Sequence, residues 1–134
     1  LGTILRSAEA FEAGGVILVE GTVSPFNPKV VRASAGSVFR LPLAQAKLAD
    51  CVAKIRQRGF RLLATSSHKG TPLPHADLKG SIAVLIGGEG AGIPREIMAA
   101  MDEVVAIPHS SKVESLNAGV AASIVLYEIR RQKS

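Results

Sequence analysis

Residues Ile82–Glu128 read IAVLIGGEGAGIPREIMAAMDEVVAIPHSSKVESLNAGVAASIVLYE, and the order of elements in this stretch decides the fold. Two β-branched apolar runs, Ile82 to Ile86 and Val104 to Ile107, are bounded by Gly and Pro, the pattern of buried strands in an α/β sheet. Each run delivers a loop at its C-terminal end, where open α/β sheets bind small molecules. Two such loops so close in sequence point to one shared pocket.

The first loop, Gly87-Gly88-Glu89-Gly90-Ala91-Gly92, lacks side chains at four of six positions, so its backbone can turn sharply and approach a ligand. No Gly-Lys-Ser/Thr follows, which removes a Walker loop, and the spacing is not that of a dinucleotide fingerprint. Taken alone, the run equally fits a tight strand-to-helix turn with Pro94 in the first turn of a short helix.

The loop is followed by Ile107-Pro108 and then Ser115-Leu116-Asn117 at the head of an Ala-, Val- and Ile-rich helix. The order Leu-Ile-Gly-Gly-Glu-Gly-x-Gly-Ile-Pro, Ile-Pro, Ser-Leu-Asn resembles motifs two and three of the SpoU class of SPOUT RNA ribose methyltransferases. The opening Gly2-Thr3-Ile4-Leu5-Arg6-Ser7-Ala8 is similar to the Gly-x-x-x-Arg-x-Ala tail of motif one. The resemblance covers nearly the whole chain, without the Asn and first strand that precede this point in the family, so the chain is read as one N-terminally truncated catalytic domain.

The remaining pattern alternates helix and strand. It predicts a helix to about Ala13, a strand Val16 to Glu20, a Pro-rich turn Ser24 to Pro28, a strand Val38 to Leu41 and a helix from about Ala44 to Arg58. A strand Phe60 to Thr65, a loop through Pro72 and Pro74, the two motif strands and a helix Leu116 to Arg131 complete it. Pattern alone gives an open, mostly parallel sheet with helices on both faces. The resemblance implies a C-terminal trefoil knot, a rare topology, and a homodimer.

A length of 134 residues with 47% hydrophobic content suits a single core. No run of about eighteen apolar residues spans a membrane, and a soluble, cytoplasmic protein is expected. The single Cys51 shares a helical stripe with Leu48, Val52 and Ile55 and reads as a buried thiol. His68, His75 and His109 fall in loops without metal-ligand spacing, so no metal is expected and His109 is assigned a loop role.

The net charge of +5 favours polyanions, with Lys29, Arg32 and Arg40 early, Lys54, Arg56, Arg58 and Arg61 in the middle, and Arg130, Arg131 and Lys133 at the end. The middle group equally fits a solvated helix exterior. With four Phe and one Tyr, phosphate contacts and RNA shape are expected to outweigh base stacking.

The resemblance implies transfer of a methyl group from S-adenosylmethionine (AdoMet) to an RNA ribose 2′-hydroxyl. It places the cofactor on the backbone of Gly87, Gly88 and Gly90, of Ile107 and of Leu116, with Thr65 and Ser66 closing the pocket. It makes Arg6 the catalytic residue, with Glu89 holding Arg6 or the ribose and Ser115 and Asn117 orienting the hydroxyl or the arginine. Core packing for Ile107 and Leu116, and helix capping for Ser115 and Asn117, are the alternatives. The Ser24 to Pro42 passage is similar to that of ribosomal-RNA members, which favours rRNA over tRNA. A cofactor- or RNA-binding module without turnover is the reading from another class; a phosphate-binding regulator is disfavoured by Glu89.

Overall fold

A four-stranded parallel sheet carries the C-terminal two-thirds of the chain, and the computed structural model describes residues 1–87, 93–114 and 116–133. Its strands are β3 (Arg61–Ser66), β4 (Thr71–Pro72), β5 (Ile82–Leu85) and β6 (Glu103–Ala106), in the spatial order β4-β6-β3-β5. Both motif strands thus flank β3. Leu62, Leu63 and Ala64 are 3%, 0% and 0% exposed; successive strand residues point to opposite faces, so both faces of β3 are covered.

Helix α5 (Ala118–Gln132) sends Val125 into a cluster with Leu63, Leu73, Leu78 and Val105. Helix α3 (Leu48–Gln57) contacts β3 and buries Cys51 and Val52, the stripe predicted from sequence. Burial raises the Cys51 thiol above its ordinary pKa, as suits a packing residue and not a nucleophile. A second cluster gathers Leu5 and Ala8 of α1 (Gly2–Ala10) with Val30 of α2 (Pro28–Ser34), Val38 and Leu41. A separate parallel pair, β1 (Val16–Leu18) with β2 (Leu43–Gln45), stands at its margin, so the strands form two sheets where one was expected.

The N-terminal half departs from the pattern reading in three further places. Val38 to Leu41 is not a strand: Ser37–Phe39 is a 3-10 turn, and Val38 within it and Leu41 just after it are buried at helical spacing while Phe39 is exposed. Gly36 enters the turn at φ +88° and the Ser37 hydroxyl donates to Glu9 Oε1 at 2.7 Å, which fixes the bend. The strand comes after Pro42, inside the expected helix, which starts only at Leu48; the Glu20 carboxylate accepts from the Leu48 N–H at 3.0 Å and supplies a cap from 28 residues away. The turn predicted over Ser24 to Pro28 leads into helix α2, which the pattern reading leaves unassigned, although Asn27 at the N-cap, accepting from the Lys29 N–H, and Pro28 at the first helical position form a start signal.

Elsewhere the differences are small. The loop through Pro72 and Pro74 contains the short edge strand β4 and a 3-10 turn, Leu73–His75. Pro94 precedes the short helix α4 (Arg95–Ala99), and α5 starts at Ala118, two residues after Leu116, because Asn117 caps it. Among the described residues no helix is long and apolar enough to cross a membrane.

Candidate functional site

Because the sheet is parallel, the C-terminal ends of its strands share one edge. Ala64 pairs with Leu85 and Ser66 with Ala106, so Thr65-Ser66, Ile86-Gly87 and Ile107-Pro108 leave the sheet side by side. Thr65, Ser66, Gly87 and Ile107 are thereby brought together from three segments. Ile107 is half-buried against the Leu63 cluster, so its side chain packs while its main chain lines the edge. A Cβ at Gly87 would lie 3.4 Å from Ile93 Cγ1, which brings the two ends of the glycine loop into contact. Gly88, Glu89, Gly90 and Ser115 lie outside the described residues.

At the same edge the structure places a feature that sequence reasoning missed. His68, after β3, and His109, after β6, stack with ring centroids 4.4 Å apart. His68 Nε2 lies 3.1 Å from the Val113 carbonyl and His109 Nδ1 lies 2.7 Å from the Ile107 carbonyl; a carbonyl only accepts, so each of these nitrogens carries the proton. The loop that follows β6 is thus latched onto the loop that follows β3. In a neutral His109 the other nitrogen, Nε2, is an acceptor, and it is buried without a partner among the described residues. An orphaned acceptor here fits a ligand bearing amino or hydroxyl donors. The available signal was that both histidines stand two or three residues beyond a strand end; neither residue spacing nor composition shows that the rings meet.

The beginning of α1 lies beside the beginning of α5. A Cβ at Gly119 would meet Thr3 at 3.2 Å, the Ser7 and Ser123 hydroxyl oxygens are 2.6 Å apart, and Phe11 and Tyr127 meet edge to face at 5.7 Å. The constant sequence offset of these pairs means that the helices run parallel, one four-residue step at a time. Arg6 is exposed on α1, one turn from Thr3, and makes no hydrogen bond or ion pair with the described residues. Asn117 Oδ1 accepts from the Gly119 N–H at 2.8 Å and from the Val120 N–H at 3.4 Å. With its oxygen committed to the cap, the group that Asn117 presents is its amide NH2.

The middle cations are partly structural. Arg56 donates to the Ala100 carbonyl and to Asp102, and Arg61 reaches the Asp77 carbonyl and Glu103, so two of the four pin strands and helices together. Lys54 and Arg58 stay on the solvent side. A shallow depression of about 500 Å³ beside Pro74, Asp77, Lys79 and Arg131 lies at the opposite, N-terminal end of the strands, where Arg61 grips Asp77. It is remote from the strand edge that carries the candidate residues.

Residues 1–127 match the model of the SpoU rRNA Methylase family. The chain belongs to this family. A SpoU relative, an uncharacterized tRNA/rRNA methyltransferase of Archaeoglobus fulgidus, is 41% identical over 99% of the chain and 59% of its own length. The 23S rRNA (guanosine(2553)-2′-O)-methyltransferase RlmP of Bacillus subtilis is 33% identical over 97% of the chain and 52% of its own. Among solved structures, the AdoMet-bound rRNA methyltransferase from Sinorhizobium meliloti superposes with a TM-score of 0.92 at 38% identity, covering 98% of this chain and 51% of that one. The chain therefore spans about half the length of these three proteins.

Proposed function

We propose that this chain is the catalytic part of an AdoMet-dependent RNA 2′-O-ribose methyltransferase. The observation that carries the reading is the shared edge of β3, β5 and β6, which unites Thr65, Ser66, Gly87 and Ile107, in a chain whose fold matches an AdoMet-bound relative. Main-chain groups of Gly87, Ile107 and Leu116 hold the cofactor, the Thr65 and Ser66 hydroxyls close its pocket, and the His109 Nε2 accepts from it. When bound, AdoMet supplies a methyl group on a sulfonium, already an excellent leaving group.

The protein's remaining tasks are alignment and charge. Arg6 stays protonated at accessible pH, so it orients the 2′-hydroxyl and stabilises developing negative charge on its oxygen; the proton passes to an RNA phosphate oxygen. Asn117 donates its amide NH2 to the ribose, and Glu89 and Ser115 complete the contacts to Arg6 and the hydroxyl. Ribosomal RNA is the proposed substrate, supported by the RlmP likeness and by the Ser24 to Pro42 passage.

A homodimer and a C-terminal knot belong to the same proposal. The dimer is supported by the outer stripe of α5, where Val120, Ile124 and Tyr127 remain exposed to water.

Titration calorimetry with AdoMet and, in parallel, ATP tests the pocket: AdoMet alone is expected to bind. Methyl transfer from labelled AdoMet to separated rRNA and tRNA, with 2′-O-methyl mapping, tests the substrate. Binding of neither nucleotide ligand by the complete protein would overturn the reading, and selective labelling of tRNA would overturn the choice of RNA.

A further inference from the structure

Two of the four phenylalanines stand side by side in water. Phe26 is 65% exposed just before the Asn27 cap of α2, and Phe39 is 69% exposed at the end of the 3-10 turn. Their ring centroids are 6.5 Å apart with 32° between the planes. Their sequence neighbours Pro25 and Val38 are buried. The backbone thus turns the smaller apolar residues inward and the two largest outward, against the ordinary order of burial.

The charge around the pair is one-sided. From residue 21 to residue 49 the chain has no Asp or Glu, while Lys29, Arg32, Arg40 and Lys47 all fall there. Lys29 and Arg32 are exposed on α2, three residues apart and so on neighbouring positions of one face. Glu9, an acid of α1 that reaches this region, is taken by Arg40 and Ser37. The exposed stripe of α5 is different, since it is mainly aliphatic and the same helix carries Arg130, which pairs with Glu12 in the turn after α1. Exposed aromatic rings within a cationic, acid-free stretch suit unpaired bases, which stack on rings while their phosphates meet the cations.

We propose that Phe26 and Phe39 form a stacking ledge for unpaired bases of the RNA substrate, with Lys29 and Arg32 meeting the adjoining phosphates. This rests on the RNA methyltransferase reading and adds a base-contacting surface to it. The ledge is joined to the candidate site through packing: Gly2, at the head of the helix that carries Arg6, lies so close to Val30 and Ala33 of α2 that a Cβ would come within 2.7 Å of both. The scarcity of aromatics in the chain, which argues against a stacking surface, is offset by where these two stand.

The test uses the full-length protein and fluorescence anisotropy with a mixed-sequence single-stranded RNA of about 20 nucleotides and the corresponding duplex. The double variant Phe26→Ala/Phe39→Ala is expected to weaken single-strand binding about tenfold or more, with duplex affinity and AdoMet titration unchanged. Phe26→Tyr/Phe39→Tyr is expected to restore it, and Lys29→Ala/Arg32→Ala to weaken both RNAs and flatten the salt dependence. Unchanged single-strand affinity in the alanine variant, while the wild type still methylates RNA, would overturn the ledge alone. A variant whose sedimentation mass halves with RNA affinity intact would give the rings to a second copy and equally overturn it. A wild type that binds neither RNA nor AdoMet would overturn the function as well.

Discussion

Around the sheet, Leu63, Val105 and Val125 are sealed from water on and against parallel strands, whereas around α1 the buried Leu5, Ala8, Val30 and Val38 come from helices and a 3-10 turn. The first core holds backbone edges in register, and those edges form the proposed cofactor site. The second holds one helix in place, and that helix carries Arg6. Helix α5 belongs to both, since Val125 enters the first cluster while Leu126 packs on the second. In the proposed mechanism, cofactor holding and charge placement are divided between two cores that share α5, the helix capped by Asn117.

Arg6→Ala is expected to separate these tasks most sharply. It removes an exposed guanidinium from neither core, so methyl transfer should fall by about 10²–10³-fold, the cost of losing one preorganised charge donor. AdoMet affinity and Tm should stay at wild-type values. A labelled-methyl assay run beside calorimetry checks both; full transfer by the variant would remove Arg6 from its role, and lost AdoMet binding would mean that α1 also holds the cofactor.

Truncating each core asks whether they unfold together. Leu63 and Leu5 are both 0% exposed, and Leu63→Ala and Leu5→Ala should each cost about 3 kcal/mol. If α5 couples the cores, urea unfolding stays a single transition that both variants shift alike. Two resolved transitions, each moved by one variant, would show independent units. A smaller effect, about 1–3 kcal/mol, is expected for Gly70→Ala. Gly70 sits at φ +107° with a would-be Cβ only 2.4 Å from the Val104 carbonyl oxygen, so any side chain pushes β4 away from β6. Its effect should include weaker AdoMet binding, because Gly70 follows the His68 latch.

Legibility from sequence follows the same division. The sheet core was readable because Ile82 to Ile86 and Val104 to Ile107 are apolar runs cut by Gly and Pro, and because the strands they form both pair with β3 in the parallel register that βα alternation implies. The α1 core was not, because its bends are set by partners distant in sequence: Glu9 captures Ser37 and Arg40, and Glu20 caps Leu48. Val38 and Leu41 are three apart, a spacing that a short apolar run does not assign to strand or turn. At the site, the grouping of Thr65, Ser66, Gly87 and Ile107 was anticipated through resemblance and is now explained by register. The His68–His109 stack was not, since 41 residues separate two rings whose meeting depends on β3 and β6 being neighbours.

The smallest expected effect is the acid response, and it too has one carboxylate on each side. In the α1 region, hydrogen bonds from Arg40 and then Ser37 hold Glu9 below the ordinary carboxyl value of 4.5. On α5, hydrogen bonding from Arg131 lowers Glu128 in the same direction, with its carboxylate also accepting from Gln132, which bridges to Ala76 and Leu78. A carboxyl lowered by folding binds protons more readily in the unfolded chain, so its stabilisation is complete above the unfolded value and is lost as pH falls through the lowered one. Both pairs therefore weaken in acid and neither responds between pH 6 and 8. The arginines are alike, Arg40 58% and Arg131 56% exposed, so the difference lies in the carboxylates: Glu9 is 31% exposed and Glu128 12%, and solvent screening keeps the Glu9 contribution the smaller. Melting curves from neutral pH downward should then show Glu128→Gln losing more Tm than Glu9→Gln near pH 7, with both variants converging on the wild type in acid. A larger loss from Glu9→Gln would mean that the Glu9–Ser37–Arg40 contact, more than apolar packing, fixes the bend that carries Phe39.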